Sequence, residues 1–156
     1  MAAALEAFTL ATAARAAGTS NRNLRAWVDR GVLPLAEEGH DAEGRGSPRI
    51  VSRVWIYTAA VTARLVDLGL SPSRAAKAAF ACAYDTSGTP YAHRGGGVLV
   101  VSNHPEHPRM MARDEIGPET LAAYVVTLVD VESIVATVNA RLDGRNHELS
   151  EKDNHS

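Results

Sequence analysis

Arginine and asparagine side chains cluster near the start of the chain, and their chemistry suits nucleic acid. Asn21, Arg22 and Arg25 recur at spacings of three and four residues, so they share one side of an α-helix. Carboxamide and guanidinium groups form paired hydrogen bonds with the edges of adenine and guanine, and guanidinium also binds phosphate. The pattern therefore favours a helix that lies in the major groove of double-stranded DNA.

A shorter helix and a tight turn are predicted to precede this helix. Leu10, Ala13, Ala14 and Ala17 repeat at helical intervals, which gives the first helix a face of small residues that a neighbour can approach closely. Gly18 then provides the backbone freedom that a sharp turn requires. This order of elements is that of a helix-turn-helix.

The second helix is predicted over about residues 21–30, with signals at both ends. Ser20 is a typical N-cap, because its hydroxyl can accept a hydrogen bond from an amide of the first turn. Leu24 and Trp27 mark the side of the helix that faces the core. Gly31 stands where a left-handed cap ends a helix.

The segment after this helix is predicted to form a β-hairpin. Residues 32–35 and 49–51 are short and apolar, and residues 36–48 between them are polar and rich in glycine. A hairpin with a long loop directly after a DNA-binding helix is typical of a wing. Carboxylates near phosphates weaken binding, so we expect the acidic part of the loop to fold away from the duplex. Its acidic residues are Glu37, Glu38, Asp41 and Glu43.

Two further helices are predicted after the hairpin. Ser52 can cap a helix that runs to about residue 68, and Gly69 ends it. Ser71 can cap the next helix, with Pro72 in its first position, where a missing amide hydrogen is harmless. That helix is predicted to run to about residue 84.

Several short motifs between residues 8 and 84 point together to one family. They are Phe8-Thr9-Leu10, Ala14, Gly18-Thr19-Ser20, Leu24-Arg25-Ala26-Trp27, Arg30-Gly31-Val32-Leu33, Arg49, Ser52 and the segment from Leu65 to Leu70. As a set they resemble the winged helix-turn-helix domain of the MerR family. The chain departs from the family at Val51, where an aromatic residue is usual after the wing arginine.

The resemblance implies a dimer that binds DNA, with the second helix in the major groove and the wing on the flanking backbone. It places Ser20, Asn21, Arg22 and Asn23 near base edges or phosphates. It places Arg25 and Arg30 on phosphates, and Arg49, with Arg45 and Arg53, at the wing. Trp27 stands at an aromatic position of the family, and a place in the core is the safer expectation for it. The implied DNA-binding residues are Ser20, Asn21, Arg22, Asn23, Arg25, Trp27, Arg30, Arg45, Arg49 and Arg53.

Charge and composition narrow the class of protein. Residues 1–89 hold 10 basic and 8 acidic side chains, and residues 90–156 hold 6 and 10, so any cationic surface must be local to the first part. The sequence contains no 18-residue apolar run and no signal peptide, so no membrane partner is expected. Cys82 is the only cysteine, which excludes an intrachain disulfide and fits a reducing cytoplasm.

Catalysis and metal binding are not expected. The chain has no recognisable nucleophile grouping, phosphate-binding loop or dinucleotide motif, so we predict neither an enzyme nor a cofactor. His104 and His107 lie in a proline-broken stretch without a third ligand at suitable spacing. Histidines in that setting usually face solvent, so no metal site is predicted.

The last third of the chain admits two interpretations. Residues 98–102 and 109–116 have strand character, whereas residues 121–142 fit either a heptad helix or a strand followed by a helix that Asp130 caps. We favour the strand and helix. The resulting unit is too small to bury its apolar surface alone, so either interpretation predicts dimerisation.

The predicted fold is mainly α with small β: an N-terminal MerR-like winged helix-turn-helix and a small C-terminal α+β unit for dimerisation or regulation. The winged domain takes residues 8–86 and the second unit residues 98–143. Residues 1–7 form a flexible N-terminus, residues 87–97 a linker and residues 144–156 a disordered tail.

The predicted function is that of a bacterial, cytoplasmic transcription regulator, associated with the nucleoid when bound to DNA. It binds specific sequences of double-stranded DNA as a homodimer, and RNA polymerase is a further partner that the resemblance implies. One alternative is an architectural DNA binder such as a phage-type excisionase or a small terminase subunit. An alternative of another class is a protein-interaction adaptor whose winged helix no longer binds DNA.

Overall fold

The computed structural model describes residues 6–35, 49–81, 83, 97–102, 108–118 and 127–153. The strands are β1 Ala7–Thr9, β2 Ile50–Ser52, β3 Gly97–Val101, β4 Arg109–Ala112 and β5 Thr127–Asp130. The helices are α1 Leu10–Ala17, α2 Asn21–Asp29, α3 Arg53–Asp67, α4 Pro72–Ala81 and α5 Val131–Asp153, with a short 3-10 turn at Arg113–Glu115. Helices with small sheets are the architecture predicted from the sequence.

The chain divides into two compact units, each formed from its own set of contacts. The first unit combines Met1–Ala60 with Val135–Ser156, and the second is Val61–Ile134. Helices α3 and α5 each contribute residues to both units. Residues 135–153 of α5 therefore belong to the same unit as α1 and α2.

In the first unit, α1 and α2 form the predicted helix-turn-helix. Thr9 caps α1, and Gly18 ends it in the left-handed conformation, with φ at 75°. The amides of Gly18 and Thr19 donate to the carbonyls of Arg15 and Ala14, which is the Schellman arrangement. Gly31 ends α2 in the same way, with φ at 71°.

The predicted hairpin partner of β2 is wrong. Strand β2 pairs antiparallel with β1, with Phe8 opposite Val51, and residues 32–35 form no strand. The amides of Val32 and Leu33 both donate to the carbonyl of Trp27, and the Leu33 side chain is fully buried. The chain after α2 is thus used to cap that helix and to fill the core. Residues 36–48, where the wing was predicted, lie outside the described residues.

The ends of the first unit also differ from expectation. Residues 1–7 were predicted to be flexible, but Ala7 begins β1. Gly144 does not end the last helix, and residues predicted as a disordered tail are helical as far as Asp153. One glycine inside a helix costs only about 1 kcal/mol, and the following Glu, Leu and Lys residues are strong helix formers.

The second unit is built on a three-stranded antiparallel sheet in the order β4-β3-β5. Every residue of the central strand β3 is buried, and Leu99 stands between Met110 and Val129 on the two neighbouring strands. Over the described residues, the strand-then-helix interpretation is therefore confirmed. The 3-10 turn lies beside β4, where the amide of Ala112 donates to the Glu115 carboxylate at 3.0 Å.

Asp130 joins the sheet to α5. Its carboxylate accepts from the amide of Ser133 at 3.1 Å, as an N-cap does, and it also pairs with Arg113. Burial alone would raise the pKa of Asp130, but the hydrogen bonds from Ser133 and the charge of Arg113 outweigh it and lower the pKa. The cap predicted from the sequence is confirmed.

The described part of the chain offers no candidate for a membrane-spanning helix or for a cluster of metal ligands. No helix there is long and apolar enough to cross a membrane. No group of three or more His, Cys, Asp or Glu side chains there could hold a metal ion. Cys82, His104 and His107, as well as residues 87–96 of the predicted linker, lie outside the described residues.

Candidate nucleic-acid interface

The first turn of α2 is fixed by its N-cap. The Ser20 hydroxyl accepts from the amide of Asn23 at 3.1 Å, as predicted. Asn21, Arg22 and Asn23 are all exposed in this turn. The free amides of a helix N-terminus and its dipole attract anions, so the turn combines that attraction with side chains able to bind bases.

The rest of α2 divides cleanly into a buried and an exposed side. Leu24 is fully buried, and Trp27 is only 7 % exposed. Arg25 and Arg30 are exposed. The burial of Trp27 matches its expected place in the core. An exposed cationic side opposite a buried apolar one is what a helix needs if it is to bind DNA without losing its packing.

Arg49 lies just before β2 and pairs with α2. Its Nη1 is 2.7 Å from Oδ1 of Asp29, and the two side chains are 38 % and 60 % exposed. The pair leaves much of the guanidinium accessible. It also sets a carboxylate beside a cation that was predicted to contact phosphate, and that carboxylate competes with phosphate for the same charge.

Arg53 is engaged with side chains of its own chain. Nε is 2.6 Å from Glu6, Nη1 is 2.9 Å from the Asn139 carboxamide oxygen, and Nη2 is 2.9 Å from Asp143. The hydrogen bond to Glu6, together with the hydrogen bond to Asp143 and the charges of both carboxylates, outweighs burial and raises the pKa of Arg53 further above its already high value. The side chain is 21 % exposed.

The predicted DNA-binding arginines therefore fall into two sets. Arg22, Arg25 and Arg30 are exposed on α2 or at its end, whereas Arg49 and Arg53 are ion-paired. Arg45 lies outside the described residues. The contact of any of these residues with DNA stays a prediction.

Sequence reasoning missed the residues of α5 that contact Arg53. Asn139 and Asp143 are four residues apart, and the buried residues Val138 and Leu142 have the same spacing next to them. That pattern indicates a helix with adjoining apolar and polar stripes facing a partner. It does not say which partner, because the contacts join residues 86 and 90 positions apart.

The short helix α1, the turn at Gly18 and the second helix α2 with its exposed cationic side form a helix-turn-helix. Residues 8–79, a little under half of the chain, match the family described as MerR HTH family regulatory protein. Over this segment the chain is similar to that family, as its motifs predicted. The description of the matched family names a helix-turn-helix and a regulatory role. No curated protein matches the chain.

Proposed function

We propose that the chain is a sequence-specific transcription regulator that binds DNA as a homodimer, with α2 in the major groove. The observation that carries the proposal is the capped first turn of α2. Asn21, Arg22 and Asn23 are exposed there, on a helix whose opposite side is held in the core by Leu24 and Trp27. A rigid backbone with free side chains suits the direct recognition of bases.

Within this proposal, residues near the start of α2 recognise bases and those further along bind phosphates. Arg22 pairs with guanine, while Arg25 and Arg30 bind the backbone. Ser20 can still donate its hydroxyl proton to a phosphate, because its hydrogen bond with Asn23 uses only an acceptor lone pair. The loop of residues 36–48, with Arg45, supplies the wing. The protein then acts in the cytoplasm on the nucleoid, with RNA polymerase as a further partner.

Selection of bound sequences from random double-stranded DNA tests the proposal. A palindromic motif is expected, because two copies related by a two-fold axis bind two equal half-sites. An asymmetric array would instead favour an architectural factor of the excisionase or terminase kind. The absence of any enriched sequence would contradict specific DNA binding.

Two arginine variants separate base recognition from phosphate binding. Arg25→Ala is expected to weaken binding to all sequences equally and to reduce the slope of log K against log salt by about 0.9. Arg22→Ala is expected to lose about 1–3 kcal/mol of preference at one base position. Both effects are measured by fluorescence anisotropy over a salt series, with Arg64→Ala as the control because Arg64 is exposed on α3 in the second unit. Equal behaviour of the two variants would contradict the assigned roles.

A protein-interaction adaptor is the second candidate, and one observation favours it. Arg49 and Arg53, both predicted to bind DNA, are neutralised by carboxylates of the same chain. Less cationic surface is then available than the sequence predicts. An affinity for DNA that stays constant over a tenfold rise in salt concentration would favour the adaptor, since DNA binding through several phosphates must weaken steeply as salt rises.

The ion pair between Asp29 and Arg49 is expected to restrain DNA binding. Asp29→Asn removes the competing carboxylate, so affinity should rise about twofold to fivefold and the salt slope should steepen by up to about 0.9. Asp67→Asn is the matched control, because Asp67 is an exposed acid on α3 in the second unit. Adding Arg49→Ala should abolish the gain. Weaker binding by Asp29→Asn would mean that Asp29 holds Arg49 towards the duplex.

A further inference from the structure

We propose that α5, from Val135 onward, positions the helix-turn-helix for DNA, and that Arg53 acts in this positioning rather than as a phosphate contact. The inference rests on the proposed DNA binding and adds a set of positioning residues to it. We name the group formed by Glu6, Arg53, Asn139 and Asp143 the α5 clamp.

The first step is the geometry of Arg53. Its three guanidinium nitrogens each have a different acceptor: Glu6 before β1, and Asn139 and Asp143 on α5. A guanidinium is planar and its donors point in fixed directions, so three acceptors determine its orientation. Asn139 and Asp143 are four residues apart and therefore lie on the same side of α5. Arg53 thus ties the start of α3 both to the N-terminal strand and to α5.

The surroundings of the α5 clamp reinforce this connection. The Tyr57 hydroxyl donates to the same Asn139 oxygen at 2.5 Å. The Arg53 guanidinium lies over the Phe8 ring, 5.6 Å from its centre, at a distance that suits a cation–π contact. Val138 and Leu142 beside the clamp are buried. Apolar burial fixes α5 on this unit, and the polar contacts fix its register.

The second step leads from α5 to the turn between α1 and α2. Nη1 of Arg141 donates to the carbonyl of Ala16 at 3.1 Å, within the last turn of α1. The same nitrogen is 3.1 Å from the place that a Cβ on Gly18 would occupy. Gly18 is the left-handed residue that turns the chain towards the N-cap of α2. Arg141 therefore contacts the backbone that sets the direction of α2.

The third step concerns charge. Two carboxylates, Glu6 and Asp143, face the single charge of Arg53, and its side chain is 21 % exposed. To offer its full charge to a phosphate, Arg53 would have to leave both carboxylates. A guanidinium with three satisfied nitrogens gains little from that exchange, so its role is to hold α5 in place. Arg141 and Asp143 then act on DNA affinity without touching the duplex.

Salt dependence distinguishes positioning from contact in the full-length protein. Arg141→Ala and Asp143→Ala are each expected to weaken binding to the selected DNA about threefold to tenfold, with an unchanged salt slope. If Arg53 instead bound phosphate in competition with Asp143, then Asp143→Ala would bind more tightly and with a steeper slope. Arg64→Ala and Asp67→Ala are the controls of matched charge, because both residues are exposed and belong to the second unit.

A conservative variant tests the three hydrogen bonds of the Arg53 guanidinium. Arg53→Lys keeps the charge, but its donors all lie on one nitrogen and cannot reach three acceptors arranged around a planar guanidinium, so it should weaken DNA binding as Asp143→Ala does. Circular dichroism at the assay temperature confirms that each variant is folded, and the exposure of Arg141 makes Arg141→Ala the mildest of them. Wild-type affinity for all three variants would overturn the positioning role and leave the proposed function standing. A wild-type protein that binds no DNA would overturn both.

Discussion

Replacing Trp27 with alanine is expected to lower the unfolding free energy by about 3–5 kcal/mol, the range for losing a large aromatic side chain from a core. The side chain is only 7 % exposed, on the α2 side that also holds the fully buried Leu24. A loss of that size is a large part of the stability of a small domain. DNA binding should disappear together with the folded state.

Trp27→Phe separates the packing role of this residue from a contact with DNA. Phenylalanine keeps most of the apolar volume but has no N–H to donate to a phosphate. We expect the folded variant to bind DNA with wild-type affinity, as measured by anisotropy alongside a urea titration. A folded Trp27→Phe protein with clearly weaker binding would show that the indole N–H contacts the backbone, the less favoured of the two roles that the resemblance implied.

Leu99→Ala is expected to destabilise the second unit by about 2–5 kcal/mol. Leu99 lies in the central strand, is fully buried, and stands opposite Met110 and Val129. Because β3 is buried along its whole length, removing the Leu99 side chain leaves a cavity and takes away contacts with both neighbouring strands. Hydrogen exchange of the β3 amides, followed by mass spectrometry, measures the effect within this unit.

Leu128→Ala is the matched control in the same sheet. Leu128 stands on β5 opposite Val100, but its side chain is 38 % exposed, so its removal should cost less than about 1 kcal/mol. Equal losses from the two variants would mean that Leu128 is covered in solution. A second copy of the chain could provide that cover, and sedimentation of the wild-type protein at several concentrations would then detect the dimer.

Local signals in the sequence were enough to predict the helix-turn-helix. Gly18, Ser20 and Gly31 act on backbone groups within a few residues of themselves, so residue type and spacing specify each cap. Asp130 was predictable for the same reason, and so was the alternation of buried and exposed residues along α2. The family resemblance rested on these same local motifs.

Contacts between distant segments could not be predicted in this way. Strand β2 pairs with β1 rather than with residues 32–35. Both candidate partners are short segments that contain apolar residues. The difference depends on Leu33, which is needed in the core, and on Trp27, whose carbonyl takes the amides of Val32 and Leu33. Only the folded chain shows which apolar segment has its amides free to pair.

The candidate site shows the same division. The exposure of Arg22 and Arg25 follows from helix periodicity, whereas the engagement of Arg53 by Asn139 and Asp143 does not follow from any local pattern. An arginine ahead of a helix looks equally available for a phosphate or for a distant carboxylate. Counting cationic residues therefore overstates the charge that this chain can offer to DNA.

The hydrogen bonds of Arg53 to α5 also bear on the order in which the protein folds during its synthesis on the ribosome. Its acceptors on α5 follow it by 86 and 90 residues. A nascent chain that already contains α1, α2 and the start of α3 still lacks Asn139 and Asp143, which are synthesised 86 and 90 residues after Arg53. The α5 clamp can therefore form only after α3, α4 and the three-stranded sheet have been synthesised, and a product that terminated before α5 would contain α2 without this clamp.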